Sequence, residues 1–190
     1  MSPRAVIVAE DDVDDLELYY SIYRMKELGF ETYLAASRKT SEYLTLSPRG
    51  EPVPAPRRIR GKRGIEFTVD IEFREALGME WDALVIPGGR GPERARLSRE
   101  AVELVRRLAS KGTPVMAICH GPLLLASAGV IRGRRVTGHP GIADDLVNAG
   151  ATYTGSPAER DSNIVTTRHT TTIHEGFRLY VQLLRERGLV

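Results

Sequence analysis

The sequence predicts an α/β protein in which helices wrap a mainly parallel sheet. Short apolar runs alternate with amphipathic helical runs along most of the chain, and this alternation is typical of strand–helix–strand units. With 190 residues, the chain is long enough to bury its core as a single domain. Its one cysteine excludes an intramolecular disulfide framework.

The first predicted elements follow the N-terminus directly. Ala5–Ala9 is an apolar run of strand length. Residues 15–28 are predicted to be helical, because apolar side chains recur there at helical spacing and Gly29 follows. A second strand is predicted over residues 30–35, and a short extra strand over residues 65–69.

The rest of the chain repeats this pattern of apolar runs and amphipathic segments that end at glycine or a turn. The predicted elements here are strands at 83–86, 114–118 and 164–167 and helices at 100–111, 142–149 and 173–187.

Residues 40–60 interrupt the alternation, and we interpret them as an exposed insertion rich in proline and arginine. Four prolines lie between Pro48 and Pro56, which disfavours both a helix and a central strand. Six basic residues lie between Arg49 and Arg63. The simplest interpretation of this charge is a solvated loop, and the alternative is a surface for phosphate or an acidic partner.

Bulk composition excludes several classes of protein. The 27 Lys and Arg residues nearly balance the 25 Asp and Glu residues, so bulk charge does not predict a nucleic-acid partner. No apolar run approaches the ~18 residues of a membrane span, and the N-terminal run lacks a signal-peptide cleavage site. We therefore expect a cytoplasmic protein with no membrane partner. Abundant charge and scarce amides favour heat adaptation, although a GC-rich genome would also enrich arginine.

Cys119 is the most informative residue of the chain. It follows the predicted strand 114–118, and Gly121-Pro122 then opens a helical run. The thiol is therefore predicted to lie on a sharp strand-to-helix turn, as the serine of a nucleophile elbow does. A lone cysteine is ordinarily a small buried hydrophobe, but the turn and the adjacent His120 favour a reactive thiol.

Two other predicted strands also end in unusual segments, at residues 10–17 and 87–94. The carboxyl ends of parallel strands share one edge of a sheet, so these segments and Cys119 should converge. Most acidic residues of the first segment are explained as charges at a helix N-terminus. Glu17, flanked by Leu16 and Leu18, is instead predicted to point inward.

The converging residues predict acid–base chemistry around the thiol. A buried Glu17 would stay protonated beside a thiolate and could donate a hydrogen bond to the sulfur. The Gly88-Gly89 pair permits close backbone approach and could offer an N–H to an oxyanion. With a helix N-terminus nearby, we expect the pKa of Cys119 to lie below the ordinary thiol value of about 8.5.

Three motifs together resemble the PfpI intracellular protease family, within the class I glutamine amidotransferase-like superfamily. They are Pro-Gly-Gly-Arg-Gly-Pro-Glu-Arg at 87–94, Ala-Ile-Cys-His-Gly-Pro at 117–122 and Pro-Gly-Ile-Ala-Asp-Asp at 140–145. The resemblance spans nearly the whole chain apart from residues 40–60. It implies a flavodoxin-like three-layer sandwich and a homo-oligomer, from dimer to hexamer.

The resemblance also implies roles for individual residues. Cys119 matches the family's nucleophile, His120 its neighbouring histidine, and Glu17 the acid that contacts the cysteine. Glu93 matches a glutamate that completes the site from the adjacent subunit, and the oxyanion hole matches the N–H groups of Gly89 and His120. His139 stands where relatives carry an aromatic residue, and we regard it as a candidate pocket residue.

The leading hypothesis is a cysteine-dependent hydrolase, an intracellular peptidase with a Cys-His-Glu site that acts on small peptides. The alternative is a glyoxalase or deglycase acting on methylglyoxal or glycated amines, and a further one is a redox sensor or chaperone that uses Cys119. An amidotransferase would need a His-x-Glu pair, whereas His174-Glu175 are adjacent. His169 is interpreted, like His174, as a surface or capping residue. Nothing indicates a cofactor, and no residue set has metal-ligand spacing.

Overall fold

Buried apolar strands and amphipathic helices alternate along the computed structural model, which describes residues 2–190. The strands are β1 (Arg4–Val8), β2 (Glu31–Ala36), β3 (Thr40–Leu46), β4 (Pro52–Pro56), β5 (Arg58–Arg60), β6 (Glu66–Thr68), β7 (Ile71–Glu72), β8 (Ala83–Ile86), β9 (Val115–Ile118), β10 (Arg135–Val136), β11 (Thr152–Tyr153), β12 (Ala158–Asp161) and β13 (Ile164–Thr167). The helices are α1 (Asp15–Glu27), α2 (Phe73–Leu77), α3 (Gly91–Ala95), α4 (Arg99–Lys111), α5 (Pro122–Ala128), α6 (Ala143–Asn148) and α7 (Ile173–Glu186).

A seven-stranded sheet in the order β12-β13-β9-β8-β1-β2-β7 forms the centre of the fold. Its pairs are parallel except β12–β13, which is antiparallel. The middle strands β8 and β9 are fully buried, as near-continuous apolar runs predict for a parallel sheet covered on both faces. The predicted α/β class with a mainly parallel sheet is confirmed.

Two apolar cores, one on each face of the sheet, make the three layers. Consecutive residues of one strand enter different cores: Val6 packs into the first, with side chains of α4 and α5, and Ile7 into the second, with side chains of α1 and α7. This alternation follows from the two-residue period of a strand. Because helices cover both faces, the carboxyl ends of β1, β8, β9 and β13 are left to form one edge, which carries the site.

Residues 40–60 differ from the predicted loop. They are exposed, but β3 and β4 pair as an antiparallel hairpin in which Thr45 lies opposite Val53. The prolines of β4 are tolerated because this hairpin is separate from the central sheet, where a missing N–H would break the ladder. A second hairpin, β5–β6, follows and leads back to the edge that carries the site. Within residues 2–190, no helix combines the length and apolarity that crossing a bilayer requires.

Candidate active site

Cys119 lies on the predicted strand-to-helix turn between β9 and α5. Its φ of +56° is in the left-handed region, which a non-glycine residue rarely adopts and which marks a strained position. The turn is held by hydrogen bonds from the Cys119 N–H to the Thr167 oxygen (2.9 Å) and from the His139 N–H to the Cys119 oxygen (2.8 Å). Gly121 allows it, because a Cβ there would overlap the carbonyl oxygen of Ile86.

Three imidazoles stand beside the thiol. The Nδ1 atom of His120 lies 3.4 Å from the Cys119 sulfur, and the His120 ring stacks on His139 with centroids 4.6 Å apart. His169 lies beyond, 6.0 Å from His139. Burial lowers the pKa of His120, and the neighbouring His139 lowers it further, so His120 is a neutral base at pH 7.

The neutral His139 ring has a defined tautomer. Its Nδ1 accepts a hydrogen bond from the Gly141 N–H at 3.0 Å, so the ring proton is on Nε2. His139 also lines the cleft that contains Cys119, and its role there stays a prediction. His169, interpreted as a capping residue, does cap the 3₁₀ turn at Thr170–Thr172, but it lines the same cleft. His174 is exposed on α7.

Glu17 points inward from the first turn of α1, as predicted, and is fully buried. Its Oε2 accepts the Gly88 N–H at 2.6 Å and its Oε1 accepts the Thr170 hydroxyl at 2.7 Å. Burial raises the pKa of Glu17 to about 7, so the carboxyl readily holds a proton. The predicted hydrogen bond from Glu17 to the Cys119 sulfur is not formed within residues 2–190, because both carboxyl oxygens face other donors.

The predicted low thiol pKa is wrong for this structure. Burial raises the pKa of Cys119 to about 12, and the negative charge of Glu17 raises it further. The His120 N–H and the Lys62 ammonium lower the pKa of Cys119, as predicted, but the effect of burial is larger. The resting thiol is therefore protonated, and the nearby His120 Nδ1 is placed to take its proton when a substrate is attacked.

Gly89 lines the same cleft as Cys119, and its backbone N–H has no partner in the adjacent bridge. Gly89 has a φ of +72° and forms an isolated antiparallel bridge with Val13. The flanking hydrogen bonds run from the Asp14 N–H to the Gly88 oxygen and from the Arg90 N–H to the Asp12 oxygen. In such a pair the central N–H points away from the partner strand, and the Gly89 N–H has no backbone acceptor within residues 2–190. The His120 N–H faces the Cys119 sulfur.

These groups meet in a cleft of about 530 Å³. Apart from Gly89, its lining side chains are all polar, charged or imidazole groups: Asp12, Lys62, Arg90, Glu93, Cys119, His120, His139, His169 and Thr170. Glu93 lines the cleft of its own chain. Burial lowers the pKa of His120, and the negative charge of Glu93 offsets only part of this lowering. The two side chains form no hydrogen bond within the described residues. The assignment of Glu93 to a neighbour's site thus stays a prediction.

Lys62 and Thr170 are the cleft residues that the sequence did not single out. Lys62 belongs to the segment interpreted as solvated loop, and its ammonium contacts Asp14 at 2.5 Å. Lys62 is recognised as a cleft residue only in the three-dimensional structure, where it pairs with the carboxylate of Asp14 from another part of the chain. Among residues 2–190, no three His, Cys, Asp or Glu side chains form a group able to hold a metal ion.

The sequence profile of the DJ-1/PfpI family matches residues 3–183. A deglycase of Pyrococcus abyssi is 41% identical over 182 residues, which cover 96% of this chain and 99% of the relative. The Pyrococcus furiosus deglycase PfpI is 38% identical over the same shares of the two chains. YraA of Bacillus subtilis, provisionally named a cysteine protease, is 28% identical over 88% of this chain and 90% of its own.

Solved structures agree with these sequence relatives. A two-domain protein of Anabaena variabilis, with DJ-1/ThiJ/PfpI-like and ferritin-like domains, gives a TM-score of 0.82 at 30% identity. The match covers 97% of this chain and 50% of that one. Drosophila melanogaster DJ-1beta gives a TM-score of 0.79 at 22% identity, covering 96% and 91% of the two chains, a likeness of fold.

Proposed function

The chain belongs to the DJ-1/PfpI family, several of whose members similar to it are named as enzymes, and we propose that it is a cysteine-dependent deglycase. Its substrates would be adducts of amines with 2-oxoaldehydes, and free methylglyoxal would be a related substrate. The observation that carries this proposal is the arrangement at the floor of the cleft. A thiol, a neutral imidazole 3.4 Å from it and an unpaired Gly89 N–H face the same small space.

The shape and lining of the cleft favour a small carbonyl compound over a peptide. A volume of about 530 Å³ is typical of a small-molecule site. The lining holds no aliphatic side chain among the described residues, whereas apolar pockets commonly bind peptide side chains. The names of the archaeal relatives, at 38–41% identity, point the same way. The intracellular peptidase predicted from the sequence is the second candidate, supported by the provisional name of YraA.

The proposed reaction begins when the sulfur attacks the carbon that carries the amine. The thiol proton passes to Nδ1 of His120, a carbon–sulfur bond forms, the carbon–nitrogen bond breaks and the amine leaves with a proton. With free methylglyoxal, the sulfur adds to the aldehyde carbon, and the alkoxide formed accepts the Gly89 N–H before it is protonated. Both routes give the same hemithioacetal.

The hemithioacetal then isomerises without any external oxidant. A proton leaves the former aldehyde carbon and a proton is returned to the neighbouring carbon, so that one is oxidised to a thioester while the other is reduced to an alcohol. Water then hydrolyses the thioester to lactate and the free thiol. Glu17, with its pKa raised to about 7, is suited to hold or release a proton at neutral pH during these steps.

The test measures lactate and free N-acetylarginine from the methylglyoxal adduct of N-acetylarginine, beside hydrolysis of a fluorogenic peptide. We expect the wild-type protein to release lactate and Cys119→Ala and Cys119→Ser to release none, with unchanged circular dichroism. Peptide hydrolysis without deglycation would replace this proposal by the peptidase. Full activity of Cys119→Ala would exclude cysteine chemistry of either kind.

We also propose that the chain forms a homo-oligomer, from dimer to hexamer, and that Glu93 acts across an interface as the sequence motif predicts. A charged partner would stabilise His120 as it gains a proton. Inactive Cys119→Ala and Glu93→Gln subunits, mixed and allowed to exchange, should then regain part of the activity. Exchange verified by a labelled subunit without any regained activity would place Glu93 in the site of its own chain, where it lines the cleft.

A further inference from the structure

The cleft carries positive charge that the proposed reaction does not use. Lys62 lines it and contacts the Oδ2 atom of Asp14 at 2.5 Å. The guanidinium of Arg63 also contacts this Oδ2 atom, at 3.1 Å. One carboxylate thus faces two cations, and this group of three side chains keeps an excess positive charge at the rim.

Arg90 adds a second positive charge on another wall of the cleft. It is exposed and follows Gly89 directly. Two acidic side chains, Asp12 and Glu93, also line the cleft. Asp12 is paired with Arg94, whose Nε lies 3.1 Å from its Oδ2, so Glu93 opposes only one of the two positive charges of Lys62 and Arg90. Arg90 itself makes no ion pair within residues 2–190, so its guanidinium is available to a ligand.

The loop that carries Lys62 is fixed to the rim. The Lys62 N–H donates to the Val13 oxygen at 2.9 Å. The buried carboxylate of Asp15 accepts the N–H groups of Arg63 at 2.7 Å and Ile65 at 3.0 Å. A cation on a fixed loop loses little conformational freedom when it binds an anion, which favours recognition.

Lys62 lines the same cleft as Cys119, His120 and His139. Burial raises the pKa of Cys119 and lowers the pKa of His120 and of His139, and the positive charge of Lys62 is a smaller influence that lowers all three pKa values. A negative group held by Lys62 would therefore share this cleft with the carbon that the sulfur attacks.

We propose that the cleft selects substrates that also carry an anionic group, a carboxylate or a phosphate, and that Lys62 and Arg90 recognise this group. This inference deepens the proposed function and rests on it for the identity of the reaction. The recognition of charge can be tested separately, because it requires only that Cys119 react with a small electrophile.

Iodoacetate and iodoacetamide are a matched pair for this test, since they are similar in size and differ by one negative charge. Cys119 is the only cysteine, so the rate of alkylation of each reagent reports on this site alone. The quantity of interest is the ratio of the iodoacetate rate to the iodoacetamide rate. A change in the thiol pKa alters both rates together and leaves the ratio unchanged. The chain unfolded in urea gives the reference ratio.

We expect the ratio in the folded protein to exceed the unfolded reference by about fivefold, since two partly exposed cations each contribute about two- to threefold. Arg90→Gln and Lys62→Gln should each lower the ratio, and added salt should lower it in the wild type. Arg58→Gln removes an exposed charge that pairs with Glu66 away from the cleft and serves as the control. A folded-state ratio equal to the reference, or a ratio unchanged in either cleft variant, would overturn the proposal.

Turnover of paired substrates then distinguishes a carboxylate from a phosphate as the group that the cleft recognises. Methylglyoxal adducts of N-acetylarginine and of its methylamide, in which an amide replaces the carboxylate, test the carboxylate, and adducts of guanosine 5′-monophosphate and guanosine test the phosphate. We expect a higher kcat/KM for the member that carries the anionic group in at least one pair, and a smaller preference in Arg90→Gln. Equal kcat/KM within both pairs would overturn the substrate selection. No turnover of any adduct, with a charge-dependent alkylation ratio, would reject the deglycase and retain the anion site.

Discussion

Asp14 and Glu17 are two buried carboxyl groups one helical turn apart, and their pKa values are shifted in opposite directions. Asp14 is 1% exposed and Glu17 0% exposed. Burial tends to raise the pKa of both. For Asp14, however, hydrogen bonds from Lys62, from the Glu17 N–H and from Arg63 lower the pKa below its ordinary value. For Glu17, burial prevails and raises the pKa to about 7.

The difference lies in the partners rather than in the depth of burial. Asp14 faces two cations and caps α1 by accepting the N–H groups of Leu16 and Glu17. Glu17 receives two neutral donors, the Gly88 N–H and the Thr170 hydroxyl. A fixed carboxylate thus holds the rim in place, and a carboxyl with a raised pKa lies one turn later, where the proposed function would use it to hold or release a proton.

Replacement of Glu17 by Gln should give the largest effect, a stabilisation. The pKa of Glu17 is about 7 in the folded chain against an ordinary value of 4.5, so the folded state binds more protons between these values and wild-type stability falls as pH rises through them. Glu17→Gln removes this fall. Near pH 8 we expect a gain of about 3 kcal/mol at most, from ~1.4 kcal/mol per pKa unit.

Urea unfolding of both proteins from pH 4 to pH 8 measures this effect. Between pH 4.5 and pH 7 the two stability curves should diverge, because only the wild type loses stability. Parallel curves over that interval would mean that Glu17 is ionised in the folded chain, as Asp14 is. The same variant should have little deglycase activity.

Glu17→Gln should also lower the pKa of Cys119, since the Glu17 charge is one of the influences that raise it. This is the reverse of the direction predicted from the sequence, where Glu17 was expected to donate a hydrogen bond to the thiolate. Thiolate absorbance in the ultraviolet, followed from pH 7 to pH 12, measures the shift. A higher thiol pKa in Glu17→Gln would restore the original role of a proton donor to sulfur.

Asp14→Ala should destabilise the chain by about 2 kcal/mol, from a lost helix cap of ~1 kcal/mol and the lost pairing with two partly exposed cations. Because the folded pKa of Asp14 is lowered, its contribution is present above the ordinary value of 3.8 and is lost as pH falls below it. Denaturant unfolding at pH 7 and pH 3 measures both effects.

Glu42→Ala is the matched control for Asp14→Ala. It removes a carboxylate of the exposed hairpin whose ion pair with Arg38 is 3.2 Å long and open to solvent. We expect less than about 0.5 kcal/mol for this exposed pair. An equal cost for the two variants would contradict a structural role for the ion pairs of Asp14.

The two carboxyl groups show which features of the site could be predicted from the sequence and which could not. The elbow at Cys119 and the inward direction of Glu17 follow from local patterns, an apolar strand before a Gly-Pro pair and an acid between two leucines. The cations on Asp14 come from residues nearly 50 positions away; Arg63, for example, is 49 residues further along the chain. No periodicity links such positions. The direction of the Cys119 pKa was missed for a related reason, since it depends on how completely the fold buries the thiol.

The two cations on Asp14 give the smallest predicted effects and the finest test of the comparison. Lys62→Gln and Arg63→Gln should each cost less than about 1 kcal/mol, because the remaining cation still pairs with Asp14 and both side chains are roughly half exposed. The double variant should cost more than the sum of the single ones, since Asp14 would be left buried without a cation. The pKa of Asp14 would then rise toward that of Glu17, and the loss of stability on acidification would begin at a higher pH. Strict additivity in a double-mutant cycle would show that the N–H groups at the start of α1 suffice to keep Asp14 ionised, and the difference between the two carboxyl groups would then rest on the helix cap.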